Sequence, residues 1–595
     1  MKASLAHTLV FLPSLISAYT WPNPQLDELE TQRYDRNGYN ARKMTASVQP
    51  CSRFDFGVSG GRSNAADWIR TVYHDMATFD AAAGTGGIDG SIRLERDRPE
   101  NVGDAFANTL NVISVEANRY VSLADEVVLA ALIAVEECGG PKLDFKGGRV
   151  DATEPNNVGV PQPQDTLESH ISAFARQGFS QEEMISLVAC GHTFGGVQHV
   201  SFPDIVPPSN DPTNTPGQVL FDSTGTQFDN KIVTEYLDGS TKSPLVVGTN
   251  DTTNSDKRIY ASDGNATVTR LSDLNTFTST CATLFAKMFD SVPKGVQLTD
   301  VIEPLPVKPY SMQLLHGNGS TVQLSGQVRF WNTEENPKRV VKLLWADHNG
   351  QSCPTCSTVL SHNQNQVSTF TIGNIKSSWY SFMPASAKSK APSTAVLLDD
   401  TQTISKVWFE VDEGDGKVVI QDQNGVGFAL QDSRLMLDNS TCLGYPTHVH
   451  IGVAVQKGSN PKRVYFKGDT FSEKNGTAPS LNAIPITKTI EIPKPSGSSA
   501  ISQGNYDIWS LTLSTSDWTN GPFNVAADFD DGTVETPYMT NYQYPSCVGT
   551  LAAPPDPSGS KPTDAHHSGA SVGFNFVHFL ISAVGIIILS FVFAL

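Results

Sequence analysis

Arg70, His74 and Asp75 fall together in the stretch RTVYHD. On a helix, residues i and i+4 point the same way, so Arg70 and His74 would share one face. A neutral imidazole can take a proton from one oxygen and return it to the next. A fixed guanidinium can stabilise charge on the oxygen that departs. Together they suit heterolysis of an O–O bond. Taken alone, the spacing is equally that of a surface pair on any helix. A second histidine, His192, follows the apolar run of EEMISLVAC and is flanked by Gly191 and Thr193.

The elements that must position these groups are helical. Ala65, Trp68, Ile69, Val72 and Met76 recur with helical period, as do Phe106, Leu110, Ile113 and Ala117, and Leu167, Ile171 and Phe174. SQEE, Ser180 to Glu183, forms a capping box that opens the helix leading to His192. Gly191 is where that helix is expected to stop. The chain changes character near residue 305. VIEPLPVKPY, 301–310, is proline-rich and reads as a linker. After it, TVQLSGQVRFW, KVWFEVDEGDGKVVIQD and HVHIGVAVQ alternate as strands do, with EGDG marking a hairpin. The expected architecture is multidomain. A mainly α domain over 45–300 precedes a β-rich, sandwich-like region over 306–548, built as one large or two small sandwiches.

The ends suggest export. Residues 1–18 resemble a secretory signal, with Lys2 before a short apolar run and Ala18 near the expected cleavage point. Residues 549–571 form a stalk rich in Pro, Ser and Gly. The apolar tail 572–595, preceded by the small residues Ser558 to Ser560 and a polar spacer, fits a GPI-anchor signal, with a second small cluster at Ser568 to Ser571. A single membrane span is the other reading of that tail. Five sequons, at Asn250, Asn265, Asn318, Asn439 and Asn475, agree with a secreted glycoprotein. Eight cysteines in an exported chain imply disulfides. CPTC, 353–356, is expected to form a tight disulfide or to feed two separate bridges. The net charge of −19 argues against nucleic acid or anionic lipid as main partner. The membrane would be met through a lipid anchor.

IRTVYHD and LVACGHTFGG, with GTGGIDGS, ECGGPKLDFKGGRVDA, LFDSTGTQFD and RLSD in that order, resemble the plant-type haem peroxidase superfamily, and its secreted fungal branch above all. The resemblance covers roughly residues 45–300. It implies an extracellular peroxidase with haem b and two Ca²⁺. It makes His74 the distal acid–base and Arg70 the group that stabilises charge on peroxide. Asn101 would accept a hydrogen bond from His74, and Glu95 would bind Asn101. His192 would be the axial iron ligand, Asp273 its carboxylate partner, and Phe221 the ring beside it. Tyr73 would wall the distal pocket. Asp75, the Gly87 carbonyl, Asp89 and Ser91 match a distal calcium set. Thr193, Asp222, Thr224, the Gln227 backbone and Asp229 match a proximal one. Cys51 and Cys138 match a disulfide of the secreted relatives. Cys190, two residues before His192, is expected as a buried thiol.

Departures narrow the expected chemistry. Ser63, Asp67 and Gln198 stand where manganese-oxidising members carry three carboxylates, and Leu187 where lignin-oxidising members expose a tryptophan. What remains is a peroxidase taking hydrogen peroxide and small phenol-like reductants at the haem edge. The extra residues between His192 and Phe221, including PPSNDPTNTPG, would reshape access to it. The β region, with His448 and His450 on one strand face, resembles nothing named here. It is expected to bind cell-wall polysaccharide, to extend the enzyme above the membrane, or to cover the haem domain. The rival reading is a haem-binding or carbohydrate-binding wall scaffold with little turnover.

Overall fold

The computed structural model describes residues 19–538, apart from the short stretches 37–40, 348, 369–374, 383–394, 402, 445–447, 476–477, 497–500, 515–517 and 519–520, and also describes Cys547. The expected signal segment 1–18, the stalk and the apolar tail lie outside the described residues. Among the described residues no helix is long and apolar enough to cross a membrane.

Helices come first in the chain and strands follow. The helices that matter here are α1 (Pro24–Tyr34), α2 (Asn64–Met76), α3 (Ile92–Glu95), α4 (Ala105–Ile113), α5 (Leu123–Glu137), α6 (Leu167–Arg176) and α7 (Gln181–His192). Then come α8 (Lys231–Asp238), α9 (Ser255–Ala261), α10 (Ala266–Leu271) and α11 (Leu274–Phe289). The periodic residues Ala65, Trp68, Ile69, Val72 and Met76 of α2 are all buried, and they pack against α5 and α4. α5 is buried along its whole length. Its near-continuous apolar run therefore marks the helix around which the others are arranged. The capping box is formed at the start of α7: Glu183 N–H donates to Ser180 Oγ (3.2 Å), and Ser180 N–H to the Glu183 carboxylate (2.8 Å). α7 does not stop at Gly191. It runs through His192 and is capped by Thr193, with Gly191 facing the cleft described below.

The segment 301–310 is not a free linker. Ile302 and Leu305 are buried, and the first strand, Val307–His316, begins inside it. The β-rich half holds three main sheets of ten, five and four strands. Two hydrophobic cores lie among them. Leu314, Leu324 and Phe330 of the ten-stranded sheet pack with Leu343, Val407 and Phe409 of the five-stranded one. Leu437, Ile451 and Val453 of that same large sheet pack with Val464, Phe466 and Val525 of the four-stranded one. The alternation in these strands thus serves two sandwiches that share their middle layer. The tryptophans Trp345, Trp379, Trp509 and Trp518 are buried core residues, so they form no exposed aromatic platform.

One element carries no apolar pattern and was not expected. α1 opens on Asn23, with Pro24 in its first turn, and its residues from Glu28 to Tyr34 are buried although most are polar. Burial of charge is tolerable where each charge is paired. Glu30 meets both Lys308 and Arg329, and Asp35 meets Arg329 at 2.9 Å. Arg33 meets Glu136 of α5 at 2.7 Å, and Arg36 meets Glu136 and Glu137. α1 thereby links the helical core to the strand Thr321–Trp331. Arg119 makes a second junction. It pairs with Asp469 and donates to Asn524 Oδ1 (2.9 Å) and the Lys467 carbonyl (2.8 Å).

Four disulfides are formed: Cys51–Cys138, Cys190–Cys281, Cys353–Cys356 and Cys442–Cys547. Cys190 is therefore not a thiol; it ties α7 to α11. Its partner lies 91 residues away, a distance at which sequence spacing carries no signal. CPTC closes on itself, along the exposed edge strand Ser352–Val359.

Candidate active site

α2 and α7 present their histidines to one cleft. The cleft contains about 1510 Å³ of empty space including its mouth, and Arg70, Tyr73, His74, Gly191, His192 and Phe221 are among its walls. Among the described residues, none of its walls comes from the β-rich half.

On the distal side, His74 Nδ1 is 2.7 Å from Asn101 Oδ1. An amide oxygen accepts, so the proton belongs on Nδ1 and Nε2 is left as the basic nitrogen. Burial, followed by the nearby Arg70 guanidinium, holds the imidazole down at about 3, against a smaller upward effect of Asn101. Asn101 is fixed in turn by donating through Nδ2 to the backbone carbonyl of Glu95 (2.9 Å). The expected Glu95 contact exists, but through main chain. The Glu95 carboxylate instead accepts from the Asn156 N–H at 2.7 Å. Arg70 donates to the Val102 carbonyl (2.8 Å) and lies over the Phe106 and Phe202 rings at 4.6 and 5.7 Å. Burial lowers it to about 10. Phe202 and Ile205, from the segment between His192 and Phe221, line the cleft, whereas none of PPSNDPTNTPG, 207–217, is among its described walls; the base of that segment is the pairing of Gly196–Gln198 with Gln218–Leu220.

On the proximal side, the sequence pointed to the wrong carboxylate. Asp273 is exposed and serves as the N-cap of α11, accepting from Thr276 N–H at 2.8 Å. The partner of His192 is Asp256, in the first turn of α9, with Oδ2 2.7 Å from Nδ1. Asp256 is 1% exposed. Its signal was slight: one Asp in SDKRIY, following the turn-forming NDTTN. His192 stacks on Phe221, with centroids 4.3 Å apart and planes 16° from parallel. With Nδ1 committed to Asp256, Nε2 is the nitrogen available to iron. The cleft fits haem: two histidines on one cavity, each ring nitrogen distal to the cavity held by a buried acceptor.

The remaining expected positions fall as follows. Tyr73 lines the cleft and stacks on Phe174. Ser63, Asp67 and Gln198 share a wall, but Asp67 already accepts from Asn108 (3.1 Å) and Arg62 (3.4 Å). Leu187 is buried, so no surface residue stands at that place. His450 bonds Thr512 Oγ1 at 3.1 Å. Among the described residues, no three His, Cys, Asp or Glu side chains converge as a metal cluster.

The two loops expected to hold calcium differ. Around Thr193, the hydroxyl donates to the Asp229 carbonyl (2.7 Å) and lies 3.4 Å from the Gln227 carbonyl. Thr224 Oγ1 donates to Asp229 Oδ2 (2.8 Å), and Asp222 Oδ1 accepts from Thr224 N–H (2.9 Å). Asp222 Oδ2 is buried and has no partner, and burial pushes this carboxyl up to about 7. An orphaned buried oxygen among hydroxyl and carbonyl oxygens fits a hard cation. The distal set offers no such vacancy. Asp75 accepts from the N–H groups of Asp89 (3.1 Å), Gly90 (2.9 Å) and Ile92 (2.9 Å). Asn156 Nδ2 lies 3.0 and 2.9 Å from the two Asp89 oxygens, and 2.9 Å from Ser91 Oγ. The side chains of the expected distal calcium set, Asp75, Asp89 and Ser91, thus already meet the protein's own donors.

With this geometry in place, the comparisons give it a class. Residues 53–273 match the family described as Peroxidase. The segment with the two histidines is thus the part of the chain that is similar to the plant, fungal and bacterial haem peroxidase superfamily, and a β-rich half follows it. The chain is 39% identical to a WSC domain-containing protein of Arthroderma benhamiae over 353 residues, 58% of this chain and 48% of that protein. It is 32% identical to a peroxisomal L-ascorbate peroxidase of Arabidopsis thaliana over 191 residues, 32% of this chain and 63% of the relative. It is 32% identical to a versatile peroxidase of Pleurotus eryngii over 192 residues, 30% and 48% respectively. The chain spans about half the length of the curated relatives it matches. The Arthroderma alignment is longer than the segment 53–273, so that similarity reaches beyond the peroxidase domain.

Proposed function

We propose that this chain is an extracellular haem peroxidase, held at the cell surface by a lipid anchor. It would reduce hydrogen peroxide and oxidise small phenol-like donors in one-electron steps. The observation that carries the reading is the single cleft in which His74 and His192 face each other's space, each oriented by a buried acceptor, Asn101 or Asp256.

Haem b, held through His192 Nε2, supplies the redox chemistry when bound. The chain's own residues do the rest. His74 Nε2 accepts a proton from one peroxide oxygen and delivers it to the other. Burial keeps the imidazole neutral, so it is ready to accept. Arg70, already desolvated and steered by Phe106, stabilises negative charge on the departing oxygen. Asp256 accepts the Nδ1 proton of His192, which makes that imidazole a stronger donor. The Thr193, Asp222, Thr224, Gln227 and Asp229 loop would hold one Ca²⁺ against the helix carrying His192. Four disulfides support an oxidising compartment. The apolar tail supports the anchor. For the β-rich half, cell-wall polysaccharide is the partner we favour. Among the described residues none of the cleft's walls comes from that half, which agrees with small donors reaching the cleft without it.

Stopped-flow absorbance of the haem-loaded protein, mixed with peroxide and then a phenol, tests the reading. A fast spectral change that the phenol reverses in two steps supports it. A haem spectrum untouched by peroxide overturns it in favour of a wall scaffold.

A further inference from the structure

Asn156 lies in EPNN, 65 residues after Ser91, and belongs to none of the motifs that suggested the site. Its side-chain nitrogen is nonetheless at the centre of the distal loop. Four oxygens surround Nδ2: Asp89 Oδ1, Asp89 Oδ2, Ser91 Oγ and, at 3.4 Å, Thr78 Oγ1. Its backbone N–H holds the Glu95 carboxylate, and the Glu95 carbonyl holds Asn101, the acceptor for His74. The carboxylate beside the distal histidine, Asp75, is spent on three backbone N–H groups at the start of α3. An N–H donor and a bound cation compete for the same lone pairs. A hard cation would need Asp75, Asp89 and Ser91 oxygens turned to one point at ~2.3–2.6 Å.

We propose that the Asn156 amide takes the place of a distal calcium ion, locking the loop 87–91 to the segment that carries Asn101. The chain then holds one structural cation, beside His192, rather than two. This goes beyond the peroxidase reading and does not depend on turnover, because the ion count is read on the resting protein.

The test is the calcium content of the purified holoprotein, equilibrated with calcium and then desalted. The wild type and Asp89→Asn are expected to retain the same number of ions, while Asp222→Asn retains one fewer. Loss of an ion in Asp89→Asn overturns the proposal. Asn156→Asp adds a third carboxylate to the distal oxygens. It is expected to bind one ion more than wild type, with a thermal midpoint that rises on adding calcium and falls in chelator. An unchanged count in Asn156→Asp would mean that the amide oxygen already serves as a ligand, and it also overturns the proposal. Should Asn156→Asp fail to fold, the comparison of wild type with Asp89→Asn still decides.

Discussion

His192 Nδ1 and Asp256 Oδ2 lie 2.7 Å apart, across 64 residues of chain, while the imidazole stacks on Phe221. The His192 ring is therefore fixed by one hydrogen bond and one aromatic face, and a buried carboxylate accepts that hydrogen bond. Asp256→Asn keeps the shape and removes the charge. It is expected to slow the reaction with peroxide ~10–100-fold, the usual size of a lost ligand-orienting partner. Asp273→Ala is the control. It should lower the thermal midpoint slightly as a lost helix cap and leave the haem spectrum and the peroxide rate unchanged. Stopped-flow rates and thermal melts of the two variants separate the roles.

His74 sets the acid limit. The folded imidazole titrates near 3, because burial and then Arg70 oppose its charge. The peroxide step should be flat from neutral pH to about pH 4 and fall below that as the base is protonated. Stability follows the same sign. Between about 6.5, the unfolded value, and 3 the unfolded chain binds the proton and the folded one does not, so stability falls as pH drops through that window. His74→Leu should abolish the fast peroxide reaction, slowing it by ~10²–10⁴-fold, while haem remains bound. It should also flatten the acid slope of the denaturation midpoint.

The disulfides should differ in weight. Cys190–Cys281 closes a span of 91 residues and Cys353–Cys356 a span of 3. On loop-closure entropy, removing the first costs about 5 kcal/mol and removing the second about 2 kcal/mol. Chemical denaturation of Cys190→Ala/Cys281→Ala and Cys353→Ser/Cys356→Ser would measure both. The first should also weaken haem retention, because Cys190 and His192 share the last turn of α7.

Arg329 should be intolerant of truncation. It is fully buried and pairs with Glu30 and Asp35, which are buried too. Arg329→Ala strands Asp35 and leaves Glu30 with Lys308 alone, and is expected to cost about 3–5 kcal/mol. Urea denaturation reads the loss directly. Restoring most of the stability with Glu30→Gln and Asp35→Asn in the same background would locate the effect in the cluster.

What could be read from the sequence follows from the range of each signal. The Arg70–His74 pair was legible because both lie on one helix, whose apolar face announces itself by period. The capping box of α7 and the EGDG hairpin were legible for the same reason, being local. Asp256 was not, since an acidic residue in a first helical turn looks like any other. Nor was the Cys190–Cys281 bond, since pairing across 91 residues is decided by the packing of α7 on α11. α1 was missed because its burial rests on charge pairing with Glu136 and Arg329, which leaves no hydrophobic stripe in the sequence. The β-rich half was legible as strands forming one large or two small sandwiches, but the sheet that the two share was not, because which sheet uses both faces is a matter of topology.

The Arg329–Asp35 contact bridges 294 residues. During synthesis at ~5–20 residues per second, the acids of α1 emerge about 15–60 s before their cation does. Until then Glu30 and Asp35 have no Arg329 to meet, and α1 must wait outside its final seat. A ribosome that stops anywhere in the haem-binding part releases a chain whose first helix carries unmatched acids. Synthesis of the first strands of the β-rich half is thus written into the stability of the part that precedes it, and a product cut short before them would betray itself to proteolysis from its own N-terminus.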